Sequence, residues 1–274
     1  LNISPNIFVF CALACEAKPL IKAWRLKKLP AASHPFAIYT DQHRVVVISG
    51  IGKLAMAGAI GYVMALFENP GLPIMLNMGI AGHRKHEPGS LVLGQKITDS
   101  ESGRSFYPQL PFTVFVPTET VFTQAKPNAD YSTQGVFDME ASGFYEMAVK
   151  FSSSELIQVA KIISDNAQSP MTNITETAVE RWIDLQLPNI QLLIEQIADC
   201  RSLAPQNNVL QIQQKLSEQF HMTVSHSLKL NVLLQRWWLL KGDTELKWQE
   251  TGPKNAKELL AWIENELDRT DFYL

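Results

Sequence analysis

An α/β fold with a helical C-terminal part is the expectation for this chain of 274 residues, and three observations lead to it. Continuous apolar runs, Ile7 to Leu13 and Ile74 to Met78, have the character of strands buried on both faces. Small-residue turns, Ser49-Gly50-Ile51-Gly52-Lys53 and Gly79-Ile80-Ala81-Gly82, follow strand-like runs, and there a backbone can approach a ligand closely. From Thr175 onward no strand pattern continues, and the remainder reads as helices. Two regions are therefore expected, an α/β domain over 1–174 and a helical region over 175–274 packed on it or on a partner subunit.

Taken in order, Ile7 to Leu13 ends in Ala14-Cys15-Glu16-Ala17, which sets a glutamate just past the carboxyl end of a buried strand. Open α/β sheets place ligand groups there, although a solvated loop acid reads as well. Tyr39 to Arg44 reads as a hairpin leading into the strand Val45 to Ile48. The turn Gly50-Ile51-Gly52 then opens a helix from Leu54 to Phe67. It is not a Walker loop, because no Gly-Lys-Ser/Thr follows.

The strand from Ile74 runs into a basic loop, His83-Arg84-Lys85-His86, and a further strand spans Gly89 to about Thr98. No third ligand stands near the two histidines in sequence, so no metal is expected. Prolines keep Ser102 to Pro117 from forming a long helix, and Thr120 to Thr123 is strand-like.

Asp138-Met139-Glu140 follows the extended Val136-Phe137 and precedes an apolar-periodic helix. Two carboxylates are thus expected in a helical first turn, where capping and ligand binding are both open readings. Leu156 to Ile163 gives one more strand, with Asp165 at its carboxyl end. Beyond Thr175, helices are expected at Thr175–Leu185, Asn189–Asp199, Val209–His221, Leu228–Leu240 and Asn255–Leu267, punctuated by Pro188, Pro205, Gly242 and Pro253.

Composition narrows the function classes. A formal charge of −3 gives no electrostatic case for nucleic acid, and no run of 18 apolar residues indicates a membrane span. Leu1 to Pro5 lacks the features of a secretory leader, and three cysteines without metal spacing read as reduced thiols. The expectation is a cytoplasmic protein.

The ordered set Ala12-Leu13-Ala14-Cys15-Glu16, Ser49-Gly50-Ile51-Gly52-Lys53, Asn77-Met78-Gly79-Ile80-Ala81-Gly82, Phe122, Asp138-Met139-Glu140-Ala141 and Ile163-Ser164-Asp165 resembles the purine nucleoside phosphorylase/uridine phosphorylase superfamily. Within it, the set is most similar to the methylthioadenosine/S-adenosylhomocysteine nucleosidases, over roughly Ile7 to Ala167. The resemblance implies a twisted, mixed, partly barrel-like central sheet flanked by helices. It also implies hydrolysis of a purine nucleoside, a homodimer and no cofactor.

By that resemblance Glu16 activates water, Glu140 accepts the ribose hydroxyls and Asp165, protonated, donates towards the base. Met139 and Asp138 belong to the sugar side and Phe122 stacks on the base. Ile51, Gly79, Ile80, Ala81 and Gly82 line the pocket. The chemistry is coherent, since an oxocarbenium-like sugar needs anions near it and the departing base needs a proton. Three departures stand out. The acidic cluster before Glu16 is reduced, Ile80 replaces a small polar residue, and the stretch from Thr98 to Thr120 is shortened. A phosphorylase and a non-catalytic nucleoside-binding protein are the alternatives.

Overall fold

The computed structural model describes residues 5–67, 72–127, 130–132, 134–203, 209–241, 246–248 and 252–269. It divides into two compact units, Leu1–Ala204 and Pro205–Leu274.

The first unit is built on a mixed sheet. Strand β1 (Ile7–Cys11) runs parallel to β4 (Arg44–Ile48) on one side and to β5 (Ile74–His83) on the other. The outer edge carries β3 (Ala37–Thr40) and β2 (Lys27–Lys28). Beyond β5 the sheet curls. Strand β10 (Ile157–Asp165) pairs parallel with β5 and antiparallel with β6 (Leu91–Asp99). Strand β6 pairs with the short β7 (Ser105–Phe106) and with β8 (Thr118–Thr123). Strand β9 (Val136–Asp138) then joins β8 back to β5 and closes a ring of five strands. This is the mixed, partly barrel-like sheet that the resemblance implies.

Alternation along β1 shows why these strands read as continuous apolar runs. Phe8 and Phe10 join one hydrophobic cluster, with Val45, Val47 and Met75. Val9 and Cys11 join another, with Val46 and Leu76. Two covered faces remove the polar half of the usual strand pattern. Helices α2 (Lys53–Leu66) and α3 (Ala141–Ala148) pack in the first cluster, and α1 (Ala14–Trp24) and α4 (Glu176–Leu203) in the second.

Three expectations need correction. Glu16 lies not in a loop but in the first turn of α1. Pro188 does not separate two helices, because α4 runs through it. An internal proline loses a backbone hydrogen bond and costs about 3 kcal/mol, but the stripe Ile183, Ile190, Leu193, Ile194 and Ile197 is buried on both sides of it and holds the helix continuous. Helix α4 therefore packs within the first unit, and the chain divides after Ala204 rather than after residue 174.

The second unit contains α5 (Val209–Phe220), α6 (Val224–Lys241) and α7 (Ala256–Asp268) around Leu216, Leu230, Leu234, Trp237, Leu259 and Ile263. Asn255 caps α7 by accepting the Glu258 N–H at 3.0 Å. Among the described residues no helix is long and apolar enough to cross a membrane.

Candidate active site at the carboxyl edge of the sheet

Parallel pairing of β4, β1, β5 and β10 brings their carboxyl ends to one edge. The turn after β1 supplies Glu16, the turn after β4 supplies Gly50 to Gly52, and β10 ends in Asp165. Strand β9 runs antiparallel to β5, with Phe137 opposite Gly82. Its continuation therefore returns Glu140 towards the level of Gly79.

Glu16 is 2% exposed, and protein donors fill both of its oxygens. Its Oε2 accepts the N–H groups of Ala12 (2.9 Å) and Leu13 (2.8 Å), and Oε1 accepts that of Ile80 (2.8 Å). Burial pushes the carboxyl up to about 7, against the N–H groups of Ile80 and Leu13 and the positive charge of Lys161. Gly79 makes this approach possible, since a Cβ there would stand 3.0 Å from Glu16 Oε1.

The acidic pair does not occupy a helical first turn as expected. Asp138 ends β9, and Glu140 is the residue that caps α3. Asp138 faces inward and is taken up by the protein. Its Oδ1 accepts the Thr123 hydroxyl (2.8 Å), while Oδ2 accepts the N–H groups of Glu140 (3.2 Å) and Ala141 (2.8 Å). Lys161 Nζ completes the set at 2.8 Å from Oδ2. Asp138 therefore holds Glu140 and Lys161 in place, with both of its oxygens on protein partners.

Glu140 reaches the other way and accepts the Gly52 N–H at 2.8 Å. Gly52 has φ +102°, a conformation that disfavours a side chain and lets its N–H face the carboxylate. Burial raises the Glu140 pKa, Lys161 opposes the shift and Asp138 adds to it.

Lys161 is the residue that sequence reading missed. It is 1% exposed, and its charge acts on Asp138, Glu140 and Glu16 together. Burial alone would lower its pKa, but Asp138 and then Glu140 outweigh that and raise it. The available signal was one lysine inside a strand whose nine residues are all buried, a charge that must find a partner.

Asp165 is buried across β5 from Gly82. A Cβ on Gly82 would stand 2.8 Å from Asp165 Oδ2, so only glycine leaves the carboxylate its place. Ser164 donates to Oδ1 (2.5 Å) and Tyr131 to Oδ2 (2.7 Å).

The remaining candidates divide. Phe122 stacks on Phe137 with ring centroids 5.6 Å apart, and like Met139 and Ile80 it stays half-buried. Gly79, Ala81 and Gly82 are buried within β5. Ile51 is 57% exposed, and Leu54 beside it 89%, so the rim beyond Gly52 is apolar and open.

His83, His86 and Glu119 offer ligand atoms within 4.8 Å of one another, a third partner that the sequence order had hidden. His83 Nδ1, however, accepts the N–H groups of Lys85 (3.0 Å) and His86 (2.8 Å). A neutral ring then carries its proton on Nε2, which stands 3.5 Å from Glu119 Oε1 without a hydrogen bond. Burial, and then His86, lower the His83 pKa and favour that neutral ring.

No family model and no curated protein matches the sequence, but solved structures match the fold. A methylthioadenosine/S-adenosylhomocysteine nucleosidase from Campylobacter jejuni covers 70% of this chain and 99% of its own, with TM-score 0.54 and 15% identity. One from Colwellia psychrerythraea, in complex with adenine, covers 71% and 94%, with TM-score 0.51 and 19% identity. A futalosine hydrolase variant from Helicobacter pylori covers 70% and 99%, with TM-score 0.51 and 12% identity. The chain has the fold of these nucleosidases.

Proposed function

We propose that the protein hydrolyses the N-glycosidic bond of a purine nucleoside of the adenosine type, releasing base and sugar. The observation that carries this reading is the gathering of Glu16, Glu140 and Asp165 on one sheet edge, each held by backbone or side-chain donors. Glu16, with a pKa near 7, suits a general base that takes a proton from water. Glu140 accepts the sugar hydroxyls, and its charge offsets the cation that develops on the ring. The charge of Lys161, held on Asp138, opposes the upward push of burial on Glu16 and Glu140. Asp165 delivers a proton to the base as the bond breaks.

Phosphorolysis requires a cation free to bind phosphate. Lys161 is held by Asp138, Arg44 forks onto Asp41 at the far end of β4, and Lys53 pairs with Asp99 and Glu101. This pairing supports water as the nucleophile, while the exposed Arg84, which donates to the Ser132 carbonyl at 3.3 Å, keeps phosphorolysis as the alternative. We also propose a homodimer, tested by light scattering after size-exclusion chromatography.

The test of the activity is release of free base from methylthioadenosine, S-adenosylhomocysteine, adenosine, inosine, 5′-deoxyadenosine and uridine, with and without phosphate. Release without phosphate is expected. Release that depends on phosphate assigns a phosphorylase, and no release from folded protein favours a binding role.

A further inference from the structure

Asp165 has no vacant oxygen. Ser164, its neighbour on β10, donates to Oδ1 at 2.5 Å, and Tyr131 donates to Oδ2 at 2.7 Å. The two donors differ in their freedom to leave. Ser164 is buried and fixed by the strand that carries Asp165. Tyr131 lies between β8 and β9, in a segment outside the sheet, and is half-buried. Ser132 donates to Asp130 at 2.9 Å through both N–H and hydroxyl, and its carbonyl accepts from Arg84 at 3.3 Å. Gly82 carries no side chain, and a Cβ there would stand 2.8 Å from Oδ2.

A base that takes Oδ2 of Asp165 must replace Tyr131 there. The carboxyl must turn from accepting a hydroxyl proton to donating its own, and a single oxygen cannot keep its contact with Tyr131 and present a proton in the same direction. We propose that Tyr131 is a built-in competitor for the base: its hydroxyl holds the place on Asp165 that a purine ring nitrogen takes, and substrate binding displaces it. The proposal rests on the nucleosidase reading and deepens it, since it makes Tyr131 a determinant of affinity that the three carboxylates do not predict. No bond is made or broken in the exchange; one hydrogen bond replaces another.

The phenol itself reports the contact. Burial, and then the hydrogen bond to Asp165, push Tyr131 up to about 12. In the full chain labelled with ¹³C at tyrosine Cζ, the Tyr131 resonance is expected to titrate late, and earlier in Asp165→Asn. Saturating adenine is expected to move that resonance in the wild type. Tyr131→Phe keeps the ring and removes the hydroxyl. Calorimetry should show it binding adenine about three- to tenfold more tightly, as loss of one competing hydrogen bond allows. Its KM for methylthioadenosine should fall by more than any change in kcat.

Adenine binding that leaves the Tyr131 resonance in place overturns the proposal, as does equal or weaker binding by Tyr131→Phe. If neither protein binds adenine or releases it from methylthioadenosine, the nucleosidase reading falls and the competitor falls with it. The tyrosine titration, which needs no ligand, separates that result from a Tyr131–Asp165 contact that never forms.

Discussion

The two units bury different things. In the first, Glu16, Asn77, Asp138, Glu140, Lys161, Asp165 and Asn166 lie in the interior beside the apolar core. In the second, every buried residue among those described is apolar, from Val209 to Leu267. Burying a charge is unfavourable unless it is paired and hydrogen-bonded, so a fold that needed only stability would resemble the second unit. The buried polar groups on which the proposed chemistry rests lie in the first unit, and the described interior of the second is apolar packing.

Substitutions sharpen that contrast, and the largest effect belongs to Glu16→Gln. Removing a general base costs about 10²–10⁴-fold in rate, so base release should nearly vanish while circular dichroism stays that of the wild type. Full turnover by this variant would remove Glu16 from the mechanism. Next come matched lesions in the two interiors. Lys161→Met strands Asp138 without its cation and should cost about 3–5 kcal/mol in denaturant unfolding, with loss of activity. Leu259→Ala in the second unit should cost a similar 2–5 kcal/mol by opening a cavity, yet leave base release intact. Equal loss of turnover from both would mean that the units do not divide the labour.

The pH response should separate them again. Glu16 titrates near 7 in the folded chain against 4.5 for an ordinary glutamate. Between those values the folded state binds more protons than the unfolded one, so stability falls as pH rises from about 4.5 to 7, by about 3 kcal/mol. Base release should move oppositely, rising about tenfold per unit up to pH 7 as Glu16 ionises. Denaturant titrations at pH 5 and pH 8, beside a pH–rate profile, would read both; a flat profile would contradict the assignment. The smallest effect expected is that of Gly82→Ala, whose Cβ displaces Asp165. It should lower base release by about tenfold, for a cost near 1–2 kcal/mol on the barrier, while leaving the melting temperature little changed.

The fold class, the placing of Glu16 just past β1 and of Asp165 at the end of β10, and the turn Gly50 to Gly52 were legible in the sequence, whereas Gly79 to Gly82, expected as a turn, is strand within β5. Each is written locally, in apolar runs, in residues without side chains, and in acids set where a strand stops. The same locality explains what was misread. Pro188 and the Asp138–Glu140 pair carry strong local signals, a helix stop and a helix start, that tertiary contacts override. The stripe packed around Ile190 carries α4 through the proline, and the pairing of β9 with β5 leaves Asp138 inside the sheet and Glu140 at the cap.

What the sequence determined by itself was therefore an α/β chain with its candidate acids at strand ends and a helical C-terminal part. Only the tertiary structure decided which partner each acid takes. It gave Asp138 to Lys161, Glu140 to Gly52 and Asp165 to Tyr131, partners 23, 88 and 34 residues away. Local patterning can show that a residue is charged or buried. It cannot choose a distant partner, because that choice depends on strand register and on the closing of the ring.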